Sequence, residues 1–457
     1  MDINISKTFK SQKLFFDTNT TKSITFRKKQ LKKLLHALQQ NEEKMNQAIH
    51  QDLRKSAFEF YETELGLIYS ELKYTIDHIK QWSAKKHVPT NLANFPASSY
   101  IIPEPLGTVL IIGAWNYPFL LSIHPLISAI AAGNTAIVKP SEMAPNSSRA
   151  IAEILNQCFE SDYIHIQEGG VTESTELLQL RFDKIFFTGS TAVGRIVYQA
   201  AAKSLTPVTL ELGGKSPCFV FEDAPIDLTA QRIVWGKFIN AGQTCVAPDY
   251  LLVDQKIKPQ LIQAIKKHIQ KIYGETPLDS PLLSKIINKN HYQRLNDLLD
   301  VTKIIYGGHT LPNQLLIAPT IMENIDFNDP IMEDEIFGPI LPIIAFTDVN
   351  VIIDEVKSRP KPLSLYAFTN KEKNKKLLLE KLSFGGGVFN ETLVHLANHH
   401  LPFGGVGESG IGNYHGKFGF DNFSHFKSII DKPTWFEPSL KYPPFSKWKF
   451  NILKKLF

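Results

Sequence analysis

The run Gly107-Thr108-Val109-Leu110-Ile111-Ile112-Gly113 is almost wholly apolar, of strand length, and closed by glycine at both ends. A strand without polar alternation is buried on both faces, the usual condition of a parallel sheet sandwiched between helices. The residues that follow repeat the theme. A helical pattern runs from about Pro118 to Ala132, then a second strand at Thr135-Ala136-Ile137-Val138-Lys139-Pro140, then a helix from about Asn146 to Phe159. Ile164–Ile166 and Lys184–Thr188 read as further strands, the latter entering a helix that ends near Ala202. Strand alternating with helix predicts an α/β fold with a doubly wound, Rossmann-like parallel sheet. Such a sheet takes its ligand at the carboxyl ends of its strands.

Working outward, the apolar spacing from Thr25 to about Lys86 is helical, with Leu31, Leu34, Leu35 and Leu38 in one segment and Leu65, Ile68, Leu72, Ile76 and Ile79 in another. These amphipathic helices predict a solvated layer packed on the sheet. Ser99–Ile102 is a short β-like piece in an otherwise irregular stretch. Beyond Val208 a second α/β block has strands at Pro217–Phe221, Tyr250–Val253, Leu341–Phe346 and Leu365–Phe368. Phe384-Gly385-Gly386-Gly387-Val388-Phe389-Asn390 and Leu401-Pro402-Phe403-Gly404-Gly405-Val406-Gly407 read as glycine turns where the backbone approaches something closely.

Composition narrows the class. With 457 residues, 43% hydrophobic and 21% charged, the chain can fold as a large soluble protein of two or three domains. Met1–Lys7 lacks the pattern of a secretory signal, and no apolar run reaches membrane-span length. Three cysteines without pattern offer neither a disulfide framework nor a zinc site, so a reducing cytoplasm is expected and no metal. The net charge of +5 is carried by the five lysines of residues 441–457, which contain no acid. The body is therefore balanced, which argues against a nucleic-acid partner.

Several loops carry chemistry. Cys245, in Gly242-Gln243-Thr244-Cys245-Val246-Ala247-Pro248, stands on a polar turn where a thiol can ionise, unlike Cys158 and Cys218 in apolar elements. Thr188-Gly189-Ser190-Thr191-Ala192-Val193-Gly194 is a strand-to-helix turn whose helix N-terminus suits a pyrophosphate, although such a turn can also be a tight connection only. Lys139-Pro140-Ser141-Glu142 offers a donor and an acceptor for ribose hydroxyls, or else a surface charge pair. Glu211, between Leu210 and Leu212 and ahead of Gly213-Gly214, is an acid in an apolar setting, the environment of a tuned base or of a salt-bridged structural carboxylate.

Together with Gly113-Ala114-Trp115-Asn116-Tyr117-Pro118, Glu335-Ile336-Phe337-Gly338-Pro339 and Pro402-Phe403-Gly404-Gly405, these motifs stand in the order found in NAD(P)-dependent aldehyde dehydrogenases. The chain resembles that family from about residue 25 to 440, and its length and tail are similar to the class-3-like branch that oxidises fatty and aromatic aldehydes. The resemblance implies a cofactor domain, a second α/β catalytic domain and a small β oligomerisation flap. It implies Cys245 as nucleophile, Asn116 with the Cys245 backbone N–H as oxyanion hole, and Glu211 as the base that activates water. Trp115, Lys139, Ser141, Glu142, Gly189, Ser190, Val193, Gly194, Leu212, Glu335 and Phe337 would bind the cofactor. Glu142 favours NAD, since a carboxylate repels a 2′-phosphate, while the branch leaves NADP open.

The implied organisation is residues 1–211 for the helices and cofactor domain (88–104 as an oligomerisation hairpin), 212–405 for the catalytic domain, 406–440 for a return segment and oligomerisation strand, and 441–457 for a basic amphipathic tail. A homodimer is implied, with contacts at Ser99–Ile102 and after Phe423. The tail mixes lysines with Trp448, Phe450, Ile452 and Leu453, so it can lie on an anionic membrane surface or pack on the protein. Three other readings are weighed against the main one. A semialdehyde dehydrogenase of the same fold needs a basic residue at the pocket mouth. A cysteine hydrolase needs a histidine beside Cys245. An inactive structural homologue would have no need of Cys245, Glu211 and Asn116.

Overall fold

The computed structural model describes residues 5–456; Met1–Asn4 of the opening stretch and Phe457 of the tail lie outside the described residues. The apolar run folds as the strand Thr108–Ile112, every residue buried. It lies inside a six-stranded sheet whose spatial order is Gly410–Ile411, Val208–Glu211, Lys184–Thr188, Thr108–Ile112, Thr135–Lys139, Ile164–Ile166. All pairings are parallel except that of the edge strand Gly410–Ile411. From Thr108–Ile112 the chain winds outward through two strands, then returns to its other side with Lys184–Thr188. That reversal opens a crevice between the carboxyl ends of Thr108–Ile112 and Lys184–Thr188, where open α/β sheets bind ligands.

A second, seven-stranded sheet runs Ile304–Tyr306, Thr320–Met322, Ile340–Phe346, Tyr250–Asp254, Pro217–Val220, Ser364–Phe368, Gly386–Phe389. Only its first pair is antiparallel. The link Leu212–Ser216 leaves the carboxyl end of Val208–Glu211 and enters the amino end of Pro217–Val220. The carboxyl edge of one sheet therefore faces the amino edge of the other, and the cleft lies between them.

Helices Ile24–Gln40, Glu42–Leu53 and Gly66–Trp82 form the expected layer, burying Leu31, Leu34, Leu38, Ile49, Ile68 and Leu72 against Pro118–Ala132 and Pro145–Cys158. The segment that carries Leu65, Ile68, Leu72, Ile76 and Ile79 begins at Ala57 and passes through a π-helical turn at Tyr61–Leu65 before Gly66–Trp82. An additional helix, Ile5–Asp17, packs Ile5 and Phe9 beside Leu110 and Ile137, and its buried Gln12 donates to the Ala136 carbonyl at 2.9 Å. The glycine run at Phe384–Asn390 is not a turn. Gly386–Phe389 is an edge strand parallel to Ser364–Phe368, and glycine is needed there because a Cβ on Gly387 would fall 2.6 Å from the Leu365 carbonyl oxygen. Lys86–Val88, Ser98–Pro105 and Ser424–Asp431 make a third, antiparallel sheet of three strands. Helix Lys447–Leu456 ends the described chain.

Candidate active site

A cavity of about 780 Å³ fills the space between the two sheet edges. The loop after Thr108–Ile112 contributes Trp115 and Asn116 to its wall, the turn after Lys184–Thr188 contributes Gly189 and Ser190, and the end of Val208–Glu211 contributes Glu211 and Leu212. From the second sheet come Cys245, just ahead of Tyr250–Asp254, and Glu335 with Phe337, just ahead of Ile340–Phe346. Residues up to 222 positions apart in the sequence, Trp115 and Phe337, meet here edge to face with ring centroids 5.4 Å apart.

Cys245 is half-buried on a turn that follows three consecutive left-handed residues, Asn240, Ala241 and Gly242, with φ of 52°, 51° and 72°. Non-glycine residues reach this region only at a cost, which is found mostly at functional sites. Gly242 admits no side chain, since a Cβ there would stand 2.3 Å from the Gly338 carbonyl oxygen. Burial pushes the Cys245 thiol up, and the Glu335 and Glu211 carboxylates add to that effect.

Asn116 is buried, and its carboxamide nitrogen donates to the Gln243 carbonyl at 3.1 Å. A carboxamide has two N–H donors, so one is left for a ligand. The neighbouring Tyr117 hydroxyl meets Thr244 Oγ1 at 2.5 Å, tying the same two loops a second time.

Glu211 is buried and neither of its carboxylate oxygens has a hydrogen-bond partner. Burial pushes its carboxyl well above the usual range. Among the described residues no cation pairs with it, unlike a salt-bridged structural carboxylate. Glu335 is pushed up to about 8 by burial and by Asp249. Its carboxylate lies so close to Gly213 that a Cβ there would meet Oε2 at 1.9 Å. The loop bearing it is pinned by Lys215, which bonds Asp249 at 2.6 Å and the Ile331 and Asp334 carbonyls, and by Arg294, which donates to the Ile336 carbonyl at 2.6 Å.

Five of the expected cofactor residues lie beyond the cavity wall. Lys139 is buried at the end of its strand and its ammonium meets Glu142, while Ser141 Oγ accepts from the Met143 N–H at 3.3 Å. Ser190 caps helix Thr191–Ala202 by accepting from the Val193 N–H at 3.4 Å. Gly194 is pressed on Leu212, whose Cδ2 would be 2.6 Å from a Cβ at that position. These residues stand along the carboxyl edge of the first sheet, which borders the cavity. A dinucleotide fits it: the helix N-terminus at Ser190 presents free N–H groups, and the buried hydroxyl of Thr188, on the cavity wall, has no partner. Among the described residues no group of His, Cys, Asp and Glu has the arrangement of a metal site.

Sequence reasoning missed the far wall. Leu67 and Leu120 from the helical layer, Trp235, and Leu396, Phe403 and Tyr414 from the last third of the chain give it an apolar lining. Tyr117, Thr244 and Phe403 stand inside the quoted motifs; the others carry no local signal. Four Lys and Arg side chains also line the cavity: Lys215, Arg294 and Arg359 are bonded to the Glu335 loop and its surroundings, and Lys361 lies beside Gly407.

The aldehyde dehydrogenase family model matches residues 4–429. A 4,4'-diaponeurosporen-aldehyde dehydrogenase of Staphylococcus aureus is 49% identical over 455 residues, 99% of either chain. A dimeric, NADP-preferring aldehyde dehydrogenase of Canis lupus familiaris is 42% identical over 96% of this chain and 98% of that one. The solved structure of a substrate-bound Staphylococcus aureus AldH superposes with a TM-score of 0.98 at 48% identity, covering 100% of both chains.

Proposed function

The chain belongs to the aldehyde dehydrogenase family, whose members use NAD(P)+, and we propose that it oxidises long apolar aldehydes to carboxylic acids through a covalent intermediate on Cys245. The observation that carries this reading is the convergence of Cys245, Asn116 and an unpaired, buried Glu211 on one cavity.

The Cys245 thiolate adds to the aldehyde carbon, giving a thiohemiacetal. The free N–H of the Asn116 carboxamide and the Cys245 backbone N–H receive the oxyanion that develops on the carbonyl oxygen. NAD(P)+, when bound, would supply the hydride acceptor that turns the thiohemiacetal into an acyl thioester on Cys245. Glu211 then takes a proton from water, the hydroxide adds to the thioester carbonyl, and collapse expels the Cys245 thiolate with release of the acid. Lys139, Ser141 and Glu142 would hold the adenosine ribose. Gly189, Ser190, Val193 and Gly194 would hold the pyrophosphate, and Trp115, Leu212, Glu335 and Phe337 the nicotinamide end. Glu142 supports NAD+ as the preferred cofactor, with NADP+ as the alternative that the dog relative's name offers.

Long apolar substrates are supported by the apolar lining given by Leu67, Leu120, Trp235, Leu396, Phe403 and Tyr414. The name of the Staphylococcus relative, a 4,4'-diaponeurosporen-aldehyde dehydrogenase, points the same way. The assigned units are the cofactor domain 1–211, the catalytic domain 212–405, the return segment 406–440 and the tail 441–457. A homodimer is proposed, held by the small antiparallel sheet, whose outer strand Ser424–Asp431 exposes Phe426 and Ile430.

The protein is assigned to the cytoplasm, with its tail on the membrane surface. In support, its three cysteines are free. Helix Lys447–Leu456 exposes Trp448 and Ile452 one turn apart, flanked by Lys447, Lys454 and Lys455. That is the composition of a segment lying in an anionic interface. Reduced-cofactor formation across aliphatic aldehydes of increasing length, benzaldehyde and succinic semialdehyde tests the substrate assignment. Turnover rising with chain length supports it, and preference for the semialdehyde overturns it.

A further inference from the structure

The peptide that carries Asn116 is gripped by a buried cation that takes no part in the chemistry above. Lys55, fully buried after helix Glu42–Leu53, donates from Nζ to Glu64 Oε1 at 2.9 Å and to the Asn116 carbonyl at 3.1 Å. Its ammonium also sits 3.9 Å from the centre of the Tyr117 ring. The other oxygen of Glu64 accepts from the Phe119 and Leu120 N–H groups at 3.0 and 3.1 Å, the first turn of helix Pro118–Ala132. The Asn116 carbonyl has a second buried donor, Asn240 Nδ2 at 2.9 Å, which reaches the Gln243 carbonyl at 3.1 Å as well. Asn116 thus has its carbonyl held by Lys55 and Asn240 and its carboxamide by Gln243.

Desolvating a buried ion pair offsets much of what its attraction contributes, so such a pair is weak evidence for stability and is often replaceable by apolar residues. Here the pair spans helix layer, oxyanion loop and helix start at once, which is a constraint on geometry. A displacement of about 1 Å at a reacting group can cost on the order of 10²-fold in rate. We propose that Lys55 is a positioning residue for the oxidation: it fixes the Asn116 peptide, and through it the carboxamide N–H that meets the oxyanion. This rests on the reading of Asn116 given above.

The test is a double-mutant cycle on the full-length enzyme with saturating NAD+: wild type, Lys55→Met, Asn116→Ala and the pair. It is run in the wild-type and in the Glu64→Gln background, because Lys55→Met alone leaves a buried carboxylate uncompensated and can compromise folding. Lys55→Met is expected to lower kcat by roughly 10- to 100-fold with little change in KM, no more than the 10²–10³-fold that outright removal of an oxyanion donor costs. In the Asn116→Ala background it should add almost nothing. Glu64→Gln should return thermal stability to the Lys55→Met protein without returning kcat. Full multiplicative loss in the pair, or recovery of kcat by Glu64→Gln, overturns the proposal. An Asn116→Ala enzyme that keeps its kcat overturns the oxyanion assignment and Lys55's role with it, and is recognisable from that single variant.

Discussion

The Asn116 carboxamide donates to the backbone carbonyl of Gln243 at 3.1 Å, so the loop leaving the first sheet is bonded to the turn that presents Cys245 two residues later. The proposed nucleophile and oxyanion donor are thereby held in one frame before any substrate arrives, which is what makes an electrostatic site effective.

The pH dependence should belong to Glu211. Burial holds its carboxyl well above the usual range, and the base is active only when ionised. With hydrolysis limiting, kcat should therefore rise with pH along a limb that lies above ordinary carboxyl titration, and Glu211→Gln should remove the limb and lower kcat by about 10²–10⁴-fold. A pH–rate profile of the two enzymes checks this, and an unchanged limb in the variant assigns it to another group.

Gly242→Ala should damage the fold and the site together. The residue is left-handed with φ of 72°, and the added methyl would meet the Gly338 backbone, which cannot swing aside. A loss of about 2–4 kcal/mol is expected from the left-handed conformation and the overpacking combined. Denaturant unfolding measures it, with lowered Cys245 reactivity as the accompanying sign; wild-type stability would show that the turn relaxes freely.

Cofactor choice should turn on Glu142. Removing its charge with Glu142→Gln removes repulsion toward a 2′-phosphate, and one such interaction near the surface is worth about 1–2 kcal/mol. The ratio of kcat/KM for NADP+ over NAD+ should rise roughly ten-fold. No change in that ratio would place the 2′-position away from this carboxylate.

The tail should bind lipid and leave chemistry alone. Deleting residues 441–457 is expected to abolish sedimentation with anionic vesicles while sparing turnover of a short, water-soluble aldehyde. Binding by the intact chain should weaken as salt is raised. Retained vesicle binding in the truncated protein would locate the contact elsewhere.

Much of this was readable from the residues. The apolar strands Thr108–Ile112, Thr135–Lys139 and Lys184–Thr188 announced themselves because burial on both faces leaves no polar position to disguise them. Cys245 and Glu211 were each out of keeping with their surroundings, one a thiol on a polar turn and the other an acid among leucines. Helix Ile5–Asp17 escaped notice because it buries only Ile5, Thr8, Phe9 and Gln12, half of them polar, and Gln12 is anchored by a hydrogen bond rather than by apolar area. The strand at Gly386–Phe389 read as a turn because its glycines answer to the Leu365 carbonyl across the sheet, which local sequence does not contain. Lys55 was illegible for the same reason: its partners, Glu64 and the Asn116 carbonyl, are 9 and 61 residues away. That the second sheet offers its amino edge to the cleft also follows only from the three-dimensional path of Leu212–Ser216.

The most direct measurement is a single-turnover trap. Glu211→Gln enzyme is mixed with excess long-chain aldehyde and NAD+, NADH is followed by absorbance, and the protein is then digested and weighed by mass spectrometry. The account predicts a rapid burst of one NADH per subunit followed by slow turnover, with the acyl group on the peptide that contains Cys245. Steady NADH formation without a burst, or an unmodified Cys245 peptide after it, would contradict covalent catalysis at Cys245 and hydrolysis by Glu211.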